Sequence, residues 1–209
     1  MEETRVLLLR HAETSAPDRF HGAESDIGLG DRGRGQALAV AQWLARERPS
    51  ALYTSGMRRA LETAAPIGLA CGLSAQVEVA LHERKMGPLS GLTREEGLVA
   101  YTEARARWAA GETSHTHQGG ESFDDVKARV LPVWRRLTTD QAGRTLVIVA
   151  HGVVIRVLLA TVLEGRGPRD FERFAIDNTA VNDLRGHSGS WRAVALNQRI
   201  GEDFDSFSW

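Results

Sequence analysis

The chain has 209 residues, of which 42% are hydrophobic and 25% charged, a balance that excludes a disordered or fibrous protein. Twenty-six Lys and Arg against twenty-seven Asp and Glu leave a formal charge of −1, so the basic excess behind non-specific binding to nucleic acid or a lipid surface is missing. Its one cysteine, Cys71, rules out an intrachain disulfide and a thiolate zinc cluster.

Met1-Glu2-Glu3-Thr4-Arg5 is too acidic for a secretory n-region. Arg5 to Leu9 is a short unbroken apolar run, the pattern of a strand covered on both faces. A loop follows from about Ser15 to Gly30. Asp31 then caps a helix through about Arg46, whose stripe is Ala37, Val40, Ala41 and Leu44. Ala51 to Thr54 reads as a second strand, Met57 to Cys71 as a helix disturbed at Pro66, and Val77 to Leu81 as a third strand. Gly87 to Gly120 has the character of a helical insertion, with pieces at Arg94–Tyr101 and Glu103–Ala110 lying over one edge of the sheet. Glu121 to Leu137 returns to helix, with a kink expected at Pro132. Thr145 to Leu163 is the longest apolar stretch, but His151, Gly152 and Arg156 inside it favour a buried strand and helix over a membrane span. Phe171 to Leu196 reads as two or three β segments with a turn at Gly186–Gly189. Alternating strands and helices predict a three-layer α/β/α fold with a mostly parallel sheet. The expected organisation is a single domain over 1–209, an insertion at about 87–120 and a short tail at about 200–209. The expected setting is cytoplasmic, without nucleic-acid or membrane partners, and the oligomeric state is open, a homodimer included.

In an open α/β sheet, ligands bind beyond the carboxyl ends of the strands. Those ends carry Arg10-His11, Arg58-Arg59, His82-Glu83 and His151-Gly152. Guanidinium forks bind phosphate oxygens bidentately and keep their charge. Helix amino termini after Gly56 and Gly152 add N–H donors. A neutral imidazole is a nucleophile toward phosphorus, and a carboxylic acid can protonate a departing alkoxide. The set therefore suits a phosphate monoester.

Arg10-His11-Ala12-Glu13-Thr14 resembles the Arg-His-Gly-Glu-Ser/Thr signature of the histidine phosphatase superfamily, in its phosphoglycerate-mutase-like branch. Further segments match in order: Leu29 to Ala37, Tyr53 to Ala64, Leu81-x-Glu83 with Gly87-x-Leu89-x-Gly91, Gly119 to Ser122, and Val149 to Arg156. The resemblance covers residues 5 to 185. It implies His11 as the nucleophile that becomes phosphohistidine, and Arg10, Arg59 and His151 as ligands of the phosphoryl oxygens. It further implies Glu83 as general acid and then base, Gly152 easing close approach, and Gly22 lending a backbone N–H. Arg58 and His21 stand as further substrate-binding candidates. No metal and no cofactor are expected, since His115-x-His117 has no carboxylate or cysteine at ligand spacing.

Two departures stand out. Ala12 replaces the family's Gly, and Ser15-Ala16-Pro17-Asp18 replaces the Trp-Asn that commonly supplies a phosphoryl contact, leaving His21 or Asp18 for the vacancy. Alignment to the mutases places Ala100 at their substrate-carboxylate lysine and Ala109-Ala110 at their arginine pair. The expected function is therefore metal-independent hydrolysis of a small phosphorylated metabolite. Phosphoglycerate mutase activity is the alternative, and a non-catalytic phospho-ligand binding module the rival from another class.

Overall fold

A computed structural model describes residues 3–187 and 189–201. Its strands are β1 (Thr4–Arg10), β2 (Ala51–Thr54), β3 (Ala75–Val77), β4 (Thr145–Ala150), β5 (Val181–His187) and β6 (Ser190–Gln198). Its α-helices are α1 (Asp31–Glu47), α2 (Arg58–Cys71), α3 (Arg94–Ala109), α4 (Phe123–Asp140) and α5 (Gly152–Val162). The strands form one six-stranded sheet in the order β3-β2-β4-β1-β5-β6. The pairs β3–β2, β2–β4 and β4–β1 are parallel, and β1–β5 and β5–β6 antiparallel.

The apolar runs are unbroken because the sheet is covered twice. Val6 and Leu8 of β1, Ala51 and Tyr53 of β2, and Leu146, Ile148 and Ala150 of β4 join the core against α4 and α5. Leu7, Leu9, Leu52, Val147 and Val149 alternate with them and meet Val40, Ala41 and Leu44 of α1 and Ala60, Ala64 and Ile67 of α2. Complete burial of each Val, Leu or Ile side chain among them contributes about 1.5–3 kcal/mol. The three-layer, mostly parallel fold expected from the sequence is the one observed.

Several element bounds differ, each for a physical reason. The apolar residues at 77–81 do not extend the third strand, because β3 ends at Val77 and Val79–Leu81 turns as a 3-10 helix that buries Leu81. The insertion's two expected pieces are one helix, α3, started by a capping box of Thr93 and Glu96. Trp108 pins α3 to the core, edge-on to Phe123 and Phe171 and fully buried. Pro66 and Pro132 lie within continuous helices. Gly30, not Asp31, is the N-cap residue of α1, and Asp31 opens the helix, where its charge suits the dipole. The last segment resolves into two strands, and the tail residues 202–209 lie outside the described residues. Among the described residues no helix is long and apolar enough to cross a membrane.

Two glycines of α1 have opposite reasons to be there. A Cβ on Gly33 would come within 2.0 Å of the Glu13 carbonyl oxygen, so only glycine lets α1 lie against the loop after β1. Gly35 is exposed, with nothing within 4 Å of its would-be Cβ. Gly35→Ala is therefore expected to stabilise the protein by about 0.5–1 kcal/mol through the lower entropy of its unfolded chain. Gly33→Ala is expected to lower the urea midpoint, and equal midpoints for the two variants would refute the assigned contact.

Candidate active site

Parallel pairing of β1 with β4 puts Arg10 opposite Ala150. The next residues, His11 and His151, therefore leave the sheet side by side, with ring centroids 5.1 Å apart. His11 donates its backbone N–H to the Ala150 carbonyl at 3.0 Å. Its ring Nδ1 is 2.7 Å from the Ala12 carbonyl. A carbonyl only accepts, so Nδ1 carries the proton and Nε2 presents a lone pair. The loop is held from both sides: Ala12 N donates to Thr63 Oγ1 at 2.9 Å and Asn178 Nδ2 to the His11 carbonyl at 2.8 Å. Thr179, left-handed at φ 57, donates its N–H to the Arg10 carbonyl at 3.0 Å.

Two guanidinium groups flank the rings. Arg10 donates through Nη1 to the Ile176 carbonyl at 3.0 Å. Arg59 donates through Nη1 to the Ser25 carbonyl at 2.7 Å and through Nη2 to those of His21 at 3.2 Å and Gly22 at 3.3 Å. Each keeps a buried Nε with no partner. Burial pushes Arg59 down to about 10, against the pull of Glu83 and with the help of Arg10. Arg10 is lowered by burial too. The His11 imidazole is held well below 6.5 by burial first and by Arg59 and Arg10 next. His151 is held down in the same way, by burial and then by Arg59 and His11. Two desolvated cations with idle donors around two uncharged rings make a site suited to an anion.

Glu83 follows the 3-10 turn and is buried. Its Oε1 accepts from Arg84 N at 2.8 Å and its Oε2 from Val153 N at 3.3 Å, in the first turn of α5. A Cβ on Gly152 would lie 3.8 Å from Arg10 Nε and 3.9 Å from Glu83 Oε2, filling space between cation and carboxylate that an oxygen can use.

These groups face a cavity of about 580 Å³ whose walls include Arg10, His11, His21, Glu83 and Gly152. Arg59 and His151 are buried behind it. His21 and Asp18 both reach the wall. Both ring nitrogens of His21 are engaged, Nε2 donating to the Ala16 carbonyl at 2.7 Å and Nδ1 accepting from Ser25 Oγ at 2.9 Å. Gly22 is off the wall: its N–H donates to Ser90 Oγ at 3.4 Å, and its carbonyl steadies Arg59. Arg58 is not brought into the site. Its side chain is 63% exposed and its Nε pairs with Glu62 at 2.7 Å, because Arg58 opens α2 on the solvent side while Arg59 turns inward. His117 donates to the Met86 carbonyl at 2.8 Å, and among the described residues no three His, Cys, Asp or Glu side chains are grouped for a metal ion.

The structure adds residues that the motif reading passed over. Arg94 and Arg156 line the cavity with Phe20, Met86 and Tyr101. Arg156 follows Gly152 by four residues and so shares its helix face, a signal present in the sequence. Arg94 opens α3, and the Thr-x-x-Glu capping box at 93–96 marked that start. Ser55, whose hydroxyl is 2.6 Å from His151 Nε2, lies in the matched segment from Tyr53 to Ala64 but was given no role there, and nothing local marked Asn178 and Thr179.

A family profile described as histidine phosphatase superfamily (branch 1) matches residues 6–199. The chain is 34% identical over 217 residues to glucosyl-3-phosphoglycerate phosphatase of Mycolicibacterium vanbaalenii, covering 100% of this chain and 91% of that one. It is 31% identical over 206 residues to metal-independent phosphoserine phosphatase of Arabidopsis thaliana, covering 96% and 86%. A solved structure of mycobacterial glucosyl-3-phosphoglycerate phosphatase with VO3 superposes with a TM-score of 0.83 at 32% identity, over 93% of this chain and 98% of that one. The paired histidines, the desolvated arginines and these full-length likenesses agree, and the chain belongs to the histidine phosphatase superfamily, branch 1.

Proposed function

We propose that this protein is a metal-independent phosphatase of small phosphorylated metabolites that works through a phosphohistidine at His11. The observation that carries this reading is the neutral imidazole with its Nε2 lone pair, set between two buried guanidinium groups that each keep an unpartnered N–H. In the first step Nε2 attacks phosphorus, an N–P bond forms, the ester P–O bond breaks, and the departing oxygen takes the proton of the Glu83 carboxyl. In the second step Glu83 takes a proton from water, whose oxygen attacks phosphorus. The N–P bond then breaks, releasing phosphate and neutral His11. Arg10, Arg59 and His151 hold the non-bridging oxygens, and the first turn of α5 adds its positive dipole end. Gly22 and His21 act on Arg59 through their carbonyls rather than on the substrate.

The cavity wall bears on what the leaving group carries. Ala100 and Ala109-Ala110 leave the mutase clamp positions without cations, yet Arg94 and Arg156 supply charge to the same cavity. Arg94 is tied by Nε to the Pro17 carbonyl at 3.0 Å and lies over the Phe20 ring. Burial and the nearby Arg10 push it down to about 10, so a second anion there is welcome. We read the preferred substrates as phosphate esters whose alcohol portion bears a carboxylate, a group that both phosphoglycerate and phosphoserine possess.

Three outcomes are expected. His11→Ala should fold and lose turnover by several orders of magnitude, and wild-type enzyme given ³²P-labelled substrate and stopped in alkaline detergent should yield base-stable, acid-labile label that the variant lacks. An unlabelled wild-type chain turning over ester would refute the intermediate, while rapid isomerisation of 3-phosphoglycerate with a bisphosphorylated primer would make the enzyme a mutase. Arg94→Ala should raise KM for carboxylate-bearing esters about tenfold, the ~1.5–3 kcal/mol of a charged hydrogen bond at its lower end, and leave KM for neutral sugar phosphates within about twofold. Equal effects on both substrate sets would count against the assignment.

The pH dependence has a definite sign. Folded His11 and His151 bind a proton only well below 6.5, whereas the unfolded chain binds it near 6.5. The unfolded state therefore takes up more protons as pH falls through 6.5, and stability present above that pH is lost progressively below it. The urea midpoint should fall on acidification from pH 7.5 through 6.5, less steeply in His11→Ala. A midpoint that rises over this range would contradict the buried neutral rings.

A further inference from the structure

The two site histidines are held in opposite ways. His11 has its Nδ1–H tied to a carbonyl and turns a lone pair outward. For His151 it is Nε2 that is tied, 2.6 Å from the hydroxyl of Ser55, while its Nδ1 is buried with no partner. Which of the two atoms in that short contact is the donor decides what Nδ1 can do.

The surroundings of Ser55 answer this. Its side chain is fully buried, so its hydroxyl proton has no water to turn to. Its oxygen accepts from Met57 N at 3.4 Å, and the acceptor within reach of its O–H is His151 Nε2. A buried hydroxyl left without an acceptor is costly, so the proton lies on the serine and points at Nε2. Neutral imidazole has a single ring proton, which must then be on Nδ1. The ring cannot evade the choice by taking a second proton, because burial, Arg59 and His11 keep it uncharged.

The position of Ser55 is a consequence of topology. Thr54 ends β2 and pairs with Val149 of the parallel strand β4, and Ser55 N continues the ladder by donating to the Val149 carbonyl at 3.2 Å. The residue just past β2 therefore stands next to the residue just past β4, as His11 does on the other side of the same strand.

We propose that Ser55 is a positioning residue that locks His151 in its Nδ1–H tautomer, making that N–H a fixed donor to the phosphoryl group, opposite in polarity to the Nε2 lone pair of His11. With the other tautomer a lone pair would face a phosphate oxygen, and a donor would become a repulsion. The inference rests on His151 being a phosphoryl ligand, and part of its test is independent of that.

The test is ring ¹⁵N spectroscopy of histidine-labelled protein combined with kinetics. In the wild-type enzyme without substrate, His151 should show a protonated Nδ1 and a bare, hydrogen-bonded Nε2, and His11 a protonated Nδ1 as well. A wild-type His151 protonated on Nε2 overturns the proposal whatever the enzyme hydrolyses, and leaves the phosphatase reading standing. In Ser55→Ala the Nδ1–H signature should give way to a mixture of tautomers. The kcat should fall about 10- to 100-fold, an attenuated version of the ~10²–10³ that loss of one preorganised donor costs, with KM little changed. A Ser55→Ala enzyme with wild-type kcat, or one whose kcat falls while His151 stays on Nδ1–H, refutes the role. Should no phosphate ester be turned over by the wild type, the functional reading fails and with it the role given to the donor.

Discussion

Taking two guanidinium groups out of water without giving either, among the described residues, a carboxylate at contact distance is the constraint around which this molecule is organised. Arg10 and Arg59 are braced by backbone carbonyls, those of Ile176, Ser25, His21 and Gly22, which orient their forks but do not neutralise them. Glu83, the carboxylate that acts on both, is itself engaged by the N–H groups of Arg84 and Val153. The cost of that arrangement is carried by the rest of the core, and in the proposed mechanism it is recovered when a dianion meets donors already in place. The same field keeps the two imidazoles uncharged, which a nucleophile needs. In the proposed mechanism, substrate affinity and nucleophilicity thus have one physical origin.

The scaffold contributes rigidity at few points, each traceable to a residue. The loop from His11 to Thr14 is clasped by the side chains of Thr63, Gln36 and Asn178 and by α1, which can lie against the Glu13 backbone because residue 33 has no side chain. Helix α5 meets the site with its amino end and buries nearly every residue behind it, so its dipole is aimed by packing rather than by a local cap. The insertion does the opposite job. Trp108 roots it in the core, while its first half brings Arg94 and Tyr101 to the cavity.

How much was legible beforehand follows from how local each signal is. Both-face burial of β1, β2 and β4 was readable as unbroken apolar runs, and the clustering of Arg10, His11 and His151 followed from the rule that parallel strands deliver their carboxyl-end residues to one edge, whereas Glu83 reaches that edge by way of the 3-10 turn after β3. Arg59 was distinguished from Arg58 by the motif, and the helix shows why: adjacent helical residues point about 100° apart, so one arginine enters the core and its neighbour pairs with Glu62 in solvent. What was misjudged depended on contacts from afar. The 3-10 turn at 79–81, the unbroken helix over 94–109 and the place of Arg94 and Arg156 on the cavity wall are all set by what packs against them.

The amino-acid order alone determined the layer architecture, the edge of the sheet where chemistry collects and the residue types gathered there, because periodicity and strand ends are written in neighbouring positions. Only the tertiary structure decided which nitrogen of each histidine is free, that the Gly22 carbonyl braces Arg59, and that Ser55 faces His151. Those outcomes depend on where one proton finds an acceptor within 3 Å, and such distances come into being only when segments far apart in the chain are packed together.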